Sequence, residues 1–256
     1  MTGVPSIFDS SARHARRDRA ARTGFTDVEA HVAEVLLDRL SMVSREFGTV
    51  LIINSGPGAL AKALRAQGMV VTETDYGIHF DAIRCDEDNL SSLDQTFDLV
   101  IAAAGFETID DLPGALIAAR RMLKPGGMFL ATLFGAPSLP SLRAAMAAAQ
   151  RQSDRHVARF HPEIDVRAAG DLLPRTGFIL PVADLETQTL SYASLDRLLA
   201  DLRAAGATNV LAKRYALTRA ELDAARQAFA AMAGPDGRTV ETVSLIILTG
   251  WAAESV

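Results

Sequence analysis

Gly48-Thr-Val-Leu-Ile-Ile-Asn-Ser-Gly-Pro-Gly58 is the stretch that decides the fold. Its first half is a short apolar run rich in β-branched residues, and its second half is closed by glycines. That pattern reads as a buried parallel strand running into a tight turn. Ala59-Leu-Ala-Lys-Ala-Leu-Arg-Ala-Gln67 follows as a helix stopped by Gly68, and Met69-Val-Val-Thr-Glu-Thr-Asp75 reads as a second strand. A glycine-spaced turn that opens a helix lets backbone approach a ligand and points free N–H groups at it. Asp75, 17 residues beyond Gly58, ends the second strand, where a carboxylate can accept hydrogen bonds from both hydroxyls of a ribose.

Outward from that unit the alternation continues. Phe97-Asp-Leu-Val-Ile-Ala-Ala-Ala104 is a strand, Leu112 to Leu123 a helix with Pro113 in its first turn, Lys124-Pro-Gly-Gly127 a tight turn, and Met128 to Phe134 a strand. Further on, helices are expected over 138–150, 166–175, 195–204 and 218–232, with strands over 177–183, 187–192 and 240–251. Thr218-Arg-Ala-Glu221 fits a capping box. So does Thr26-Asp-Val-Glu29, ahead of a helix with Val28, Val32, Val35, Leu36, Leu40 and Val43 on one face. The expected class is α/β: an open, doubly wound, mostly parallel sheet of seven strands. One domain over 1–256 is expected, divided into an N-terminal helical arm (1–47), a ligand-binding half (48–135) and a substrate or cap half (136–256).

Composition narrows the function classes. The 256 residues are 49% hydrophobic and 22% charged, enough apolar content for a large core. The formal net charge is −5, so a domain-wide basic field for nucleic acid is absent. Cys85 is the single cysteine, which excludes an internal disulfide and a cysteine-based zinc site. No stretch reaches 18 uninterrupted apolar residues, so no membrane span is expected. The start of the chain lacks a basic segment followed by an apolar one, and Asp9 and Asp18 argue against an organelle transit peptide, so the expected location is cytoplasmic. The one dense basic run carries Arg13, His14, Arg16, Arg17, Arg19 and Arg22. It reads first as a solvated helical arm, and second as a docking arm for an acidic partner or an anionic substrate group.

The turn lacks the Gly-Lys-Ser/Thr ending of a phosphate-binding loop. The third glycine of a dinucleotide fingerprint falls on Leu60 or Ala61, which disfavours a nicotinamide or flavin cofactor. No Gly-x-Ser-x-Gly elbow and no His-Glu-x-x-His helix is present, so hydrolase and metalloprotease readings lack support.

Taken with the rest of the chain, these residues resemble the class I S-adenosylmethionine-dependent methyltransferases. The resemblance lies in Gly56-Pro-Gly58, Asp75, Asp86, Phe97-Asp-Leu-Val100 and Leu123-Lys-Pro-Gly-Gly127. Within that family the chain is similar to the branch holding mitochondrial complex I assembly factor 5, with the biotin-pathway malonyl carrier-protein methyltransferases as cousins. Phe8-Asp9, Asp110-Asp-Leu-Pro113, Leu142-Arg143, Asp201-Leu-Arg-Ala-Ala-Gly-Ala-Thr-Asn209, Pro235-Asp-Gly237 and Gly250-Trp251 carry that closer likeness.

The resemblance implies S-adenosylmethionine as cofactor and a small-molecule or protein methyl acceptor. It places the cofactor on Asn54, Ser55, Gly56, Gly58, Asp75, Asp86, Glu87 and Ala103, with Asp75 on the ribose and Asp86 on the adenine amine. Glu107, His161 and Tyr192 are candidates for acceptor binding, and no metal site is expected. Three departures stand out. Where the family's first strand ends Leu-Asp-Leu-Gly-Cys-Gly-x-Gly, the acid is Ile52 and the first glycine is Asn54. Ile52 cannot engage the amino group of the methionine moiety, and Asn54 adds a side chain where backbone and ligand approach. Only 10 residues separate Asp75 from Asp86, too few for a helix and a strand. The His-Trp pair of the branch is Glu107-Thr108 here, and Glu107 is the available substitute. Retained acids favour a methyltransferase; the altered turn favours a non-catalytic relative kept as an interaction or assembly module. His156 and His161 read as a solvated lid loop or as pocket residues, Tyr192 and Tyr215 as partial core, Trp251 as a packing anchor, and Cys85 as a small buried hydrophobe on the third strand.

Overall fold

Val50 to Ile53 are fully buried on both sides of their strand. Leu51 and Ile53 face one apolar cluster, Val50 and Ile52 another, as the two-residue period of a strand requires. A strand buried on both faces needs helices above and below, and the computed structural model supplies them. It describes residues 6–87, 90–93, 95–153 and 157–254.

Two helices, α1 (Ser10–Thr23) and α2 (Asp27–Ser41), precede β1 (Thr49–Ile53), α3 (Ala59–Ala66), β2 (Val70–Asp75) and β3 (Ile83–Arg84). Next come β4 (Phe97–Ala103), α4 (Leu112–Arg121), β5 (Leu123–Gly135), α5 (Pro140–Gln150) and α6 (Val166–Arg175). The chain closes with β6 (Ile179–Tyr192), α7 (Leu195–Ala204), α8 (Arg219–Ala230) and β7 (Thr239–Trp251). The seven strands form one sheet in the order β3-β2-β1-β4-β5-β7-β6. All neighbours are parallel except β7, which runs antiparallel to both β5 and β6. The order reverses between β1 and β4, and in such sheets the ligand crevice opens beyond the carboxyl ends at that switch point.

One face of the sheet is covered by α4 and α6, the other by α2 and α3. A third apolar cluster, built from Leu142, Met146, Leu195, Leu198 and Phe229, joins α5, α7 and α8 into a cap. Among the described residues no helix is long and apolar enough to cross a membrane.

Several local expectations need correction. Lys124-Pro-Gly-Gly127 is an irregularity inside β5, which pairs with β4 at Leu123 and again from Met128. The two strands expected over 177–192 are one 14-residue strand, because β7 pairs with β6 on both sides of Thr187. Cys85 is buried but lies just past β3. Tyr215 is 58% exposed and is no core residue. The Thr218–Glu221 capping box forms. The one at Thr26 does not, since Thr26 makes no side-chain cap bond. Glu29 is turned elsewhere, to Arg17.

Candidate functional site

At the tip of β1 the backbone leaves the strand through Asn54 at φ 62°, a left-handed conformation that asparagine tolerates better than most side chains. Gly56 and Gly58 follow at φ 61° and 79°. The Asn54 side chain crosses the switch point: Nδ2 donates to the Ala104 carbonyl (2.8 Å) and to Glu87 Oε1 (2.8 Å). Both partners are acceptors, so Nδ2 and Oδ1 are assigned by the network. A Cβ at Gly105 would fall 2.3 Å from Asn54 Nδ2, and Gly105 therefore makes room for the asparagine. The expected intrusion of Asn54 is thus directed sideways, toward β4.

Asp75, at the end of β2, has no solvent exposure and a full set of partners. Gly77 N donates to Oδ1 (2.8 Å) and Gly56 N to Oδ2 (3.1 Å). The other two donors belong to one guanidinium: Arg17 Nε reaches Oδ1 at 3.1 Å and Arg17 Nη2 reaches Oδ2 at 2.7 Å. Arg13, one turn earlier on α1, pairs with both oxygens of the buried Glu87 and stacks 3.6 Å from the centre of the Tyr76 ring. It also donates to the Thr108 hydroxyl at 2.9 Å. His14 Nε2 lies 2.7 Å from Asp86 Oδ1. One helix therefore engages all three acids expected to face a ligand.

This corrects the expectation of a solvated arm in part: Arg13 is buried and Arg16 and Arg17 are half-buried, while Arg19 and Arg22 are exposed, and the acids that Arg13 and Arg17 meet belong to this protein's own sheet crest. Burial would lower the basicity of Arg17, but its hydrogen bonds and charge contact with Asp75 outweigh that and raise it. Burial pushes the Tyr76 hydroxyl up to about 12.

Several sequence motifs left without a role prove to be the seat of this helix. Asp110 Oδ1 accepts from Ile7 N and Phe8 N, and Asp9 caps α1 through Ala12 N (2.9 Å) and pairs with Arg214 (2.8 Å). Asp9 N donates to the Val210 carbonyl. Arg16 Nε donates to the Thr208 hydroxyl at 2.7 Å, and Asn209 donates to the Arg159 carbonyl. Gly206, at φ 71°, lies under α1: a Cβ there would sit 3.1 Å from the Arg16 carbonyl and 3.2 Å from Ala20 Cβ. The stretch 201–209 is a docking surface for α1. Arg13 and Arg17 were legible in part, because positions i and i+4 share a helix face. Glu29 was hidden by its fit to a capping box.

Beside this network a cavity of about 1090 Å³ lies between the sheet crest and the cap. Asn54, Ser55, Ala103, Glu107, His161 and Tyr192 all line it, whereas Gly56, Gly58, Asp75, Asp86 and Glu87 do not. His156 lies outside the described residues. Burial raises the Glu107 carboxyl above its ordinary range, and Glu107 Oε2 accepts from Gly105 N. His161 is held down to about 4, by burial first and then by the charges of Arg16 and Arg143. Its Nε2 accepts from Val210 N at 2.9 Å, so the neutral ring carries its proton on Nδ1. Three buried polar atoms around the glycine turn have no partner: Asn54 Oδ1, Ser55 Oγ and Glu29 Oε2. Two of these are obligate acceptors, so the turn is short of donors and suits a cation or a hydroxyl-bearing ligand. Among the described residues no group of three His, Cys, Asp or Glu side chains is placed to hold a metal.

Comparison with known proteins fits this arrangement. Residues 25–211 match the family model described as a methyltransferase domain. Human mitochondrial arginine-hydroxylase NDUFAF5 is 27% identical, over 96% of this chain and 77% of its own length. Malonyl-[acyl-carrier protein] O-methyltransferase of Halorhodospira halophila is 30% identical, over 97% of this chain and 86% of its own. Among solved structures, the YcgJ protein of Bacillus subtilis superposes with a TM-score of 0.57 at 13% identity, covering 88% of this chain and all of that one.

Proposed function

The chain belongs to the methyltransferase-domain family, and from that premise we propose that it binds S-adenosylmethionine at the β1–β4 switch point and transfers the methyl group to an acceptor held in the adjoining cavity. The observation that carries this reading is the meeting of the glycine turn with the β2 carboxylate beside a donor-poor set of acceptors that lines the cavity. The relatives named above carry two different activities, so kinship names no acceptor; a small molecule and a protein side chain both remain open to test.

The cofactor supplies an activated methyl group on a sulfonium, so the protein's share is positioning and exclusion of water. Asp75 would take the ribose hydroxyls in place of the Arg17 guanidinium, and Tyr76, Ala103 and Glu87 would flank the base. Glu107, facing the cavity with its carboxyl raised by burial, is the group able to accept a proton from the acceptor nucleophile. His161 and Tyr192 would line the acceptor's side. For Asp75 to be offered, Arg17 must withdraw, and cofactor affinity is reduced by the fraction of molecules in which α1 is docked.

A second reading is favoured by one observation. Every lone-pair site of Asp75 that the fold presents is used by the chain itself, as a fold retained for interaction or assembly would permit.

Calorimetric titration with S-adenosylmethionine decides between them. The first reading expects binding to the wild type that tightens roughly 10–100-fold in Arg17→Ala, and that is lost when Asp75→Ala is added. No heat from either protein at millimolar ligand, with both samples folded, excludes the cofactor and leaves the interaction module.

A further inference from the structure

The family's acid at the end of the first strand is absent here, where Ile52 is fully buried in an apolar cluster. A methionine ammonium group entering this crevice would bring three N–H donors and a positive charge, and β1 offers it no carboxylate. Helix α2 does. Glu29 points at the glycine turn: its Cγ lies 3.3 Å from where a Cβ on Gly56 would stand. It lines the same cavity as Asn54 and Ser55. Its Oε1 has a single long contact, 3.4 Å from Arg17 Nη1, and its Oε2 is buried with no partner. Leaving a buried carboxylate oxygen without a donor is costly. Glu29 could have avoided that cost by reaching back to Thr26 as its sequence position invites, and it does not.

We propose that Glu29 is the ammonium acceptor of this site, a carboxylate relocated from β1 to α2, with Asn54 Oδ1 and Ser55 Oγ completing the shell. All three atoms are orphaned in the docked state, and all three belong to one turn and the helix packed on it. Arg17 holds the place meanwhile, as a cation of this chain shared between Asp75 and Glu29. The assignment rests on the cofactor reading above, and it adds a specificity: the site prefers ligands that carry an amino-acid end over the bare nucleoside.

Two probes separate that end from the rest. S-adenosylhomocysteine carries the amino acid, and 5′-methylthioadenosine is the same thioether nucleoside without it. Both are titrated calorimetrically into the wild type, Glu29→Gln and Glu29→Asp. The expected result is a preference of the wild type for S-adenosylhomocysteine that falls roughly 10-fold or more in Glu29→Gln and is partly restored in Glu29→Asp. Methylthioadenosine affinity should move little by comparison. The ratio of the two affinities is the readout, because loosening the Arg17 contact shifts both ligands together. An unchanged ratio in Glu29→Gln, with nucleoside binding intact, overturns the assignment while the cofactor reading stands. Binding of neither probe to wild type or to Arg17→Ala overturns the cofactor reading, and this assignment falls with it.

Discussion

Arg17 and Asp75 form the contact on which the closed crest depends, and a double-mutant cycle measures it. The perturbations are Arg17→Met, which keeps an unbranched apolar side chain but removes the guanidinium that lies 4.5 Å from the centre of the Phe80 ring, and Asp75→Asn, alone and together. Arg17 contributes two of the four hydrogen bonds to a carboxylate with no solvent exposure, and its own side chain is 12% exposed. Removing one member of a buried pair costs about 3–5 kcal/mol, because the other charge stays buried. Here Gly56 N and Gly77 N remain on the carboxylate, so the lower end applies, about 3 kcal/mol for Arg17→Met. The double variant removes both members of this pair, leaving only Glu29 without its long contact to Arg17, and should cost clearly less than the sum of the singles, with a coupling on the order of 2 kcal/mol. Urea unfolding of the four proteins at neutral pH, followed by two probes to check for a single transition, gives these numbers. A loss below about 1 kcal/mol for Arg17→Met, or coupling within about 0.5 kcal/mol of zero, would show that α1 does not dock on the acid in solution.

Other consequences follow from the same geometry. Gly206→Ala places a side chain at positive φ against the Arg16 carbonyl; it should free α1 and speed tryptic cleavage after Arg16, Arg19 and Arg22, and an unchanged digestion rate counts against the seat. Gly105→Ala sets a methyl 2.3 Å from Asn54 Nδ2 and should cost more than about 2 kcal/mol, with part of the loss recovered in Gly105→Ala/Asn54→Gly; equal losses in the two proteins refute the contact. His161 is held to about 4 in the folded state, below its unfolded value of about 6.5. The unfolded chain therefore binds the extra proton first as pH falls, and stability present above about pH 6.5 is lost progressively down to about pH 4, by about 3 kcal/mol. Chemical denaturation across that window should show a slope that His161→Gln removes, and a slope that persists in the variant assigns the effect elsewhere. Thr218→Ala breaks the capping box of α8 and should cost about 1 kcal/mol of stability; a loss within error of zero would show that the box contributes nothing.

Much of the sheet was legible because its strands are short, apolar and closed by glycine or acid, as at Val50–Ile53 and Leu99–Ala102. The compressed segment after Asp75 was also readable by counting, and β3 follows β2 with no helix between. What escaped is tertiary in origin. β6 runs unbroken through Asp184–Gln188 because β7 supplies a partner at each position, which the polar composition there conceals. The glycines after Lys124 look like a turn, yet sheet pairing on both sides absorbs them. Asp75 and the glycine turn were recognisable from spacing, whereas the state of Asp75 was not. Its partner lies 58 positions earlier, on a helix whose arginines look like a solvated face until the sheet is folded. Glu29 shows the same limit, since local spacing offered a cap and the cavity claimed the side chain instead.

Helix α1 and its seat lie at opposite ends of the chain: Arg16 meets Thr208 across 192 positions, and Asp9 meets Arg214 across 205. Such a contact carries a large loop-closure cost and forms late in folding. On the ribosome the sheet crest, with Asp75, Asp86 and Glu87, emerges long before the strand of chain that anchors its cover. The arginines of α1 precede these acids in synthesis, so the piece that arrives last is the seat that holds the helix in place.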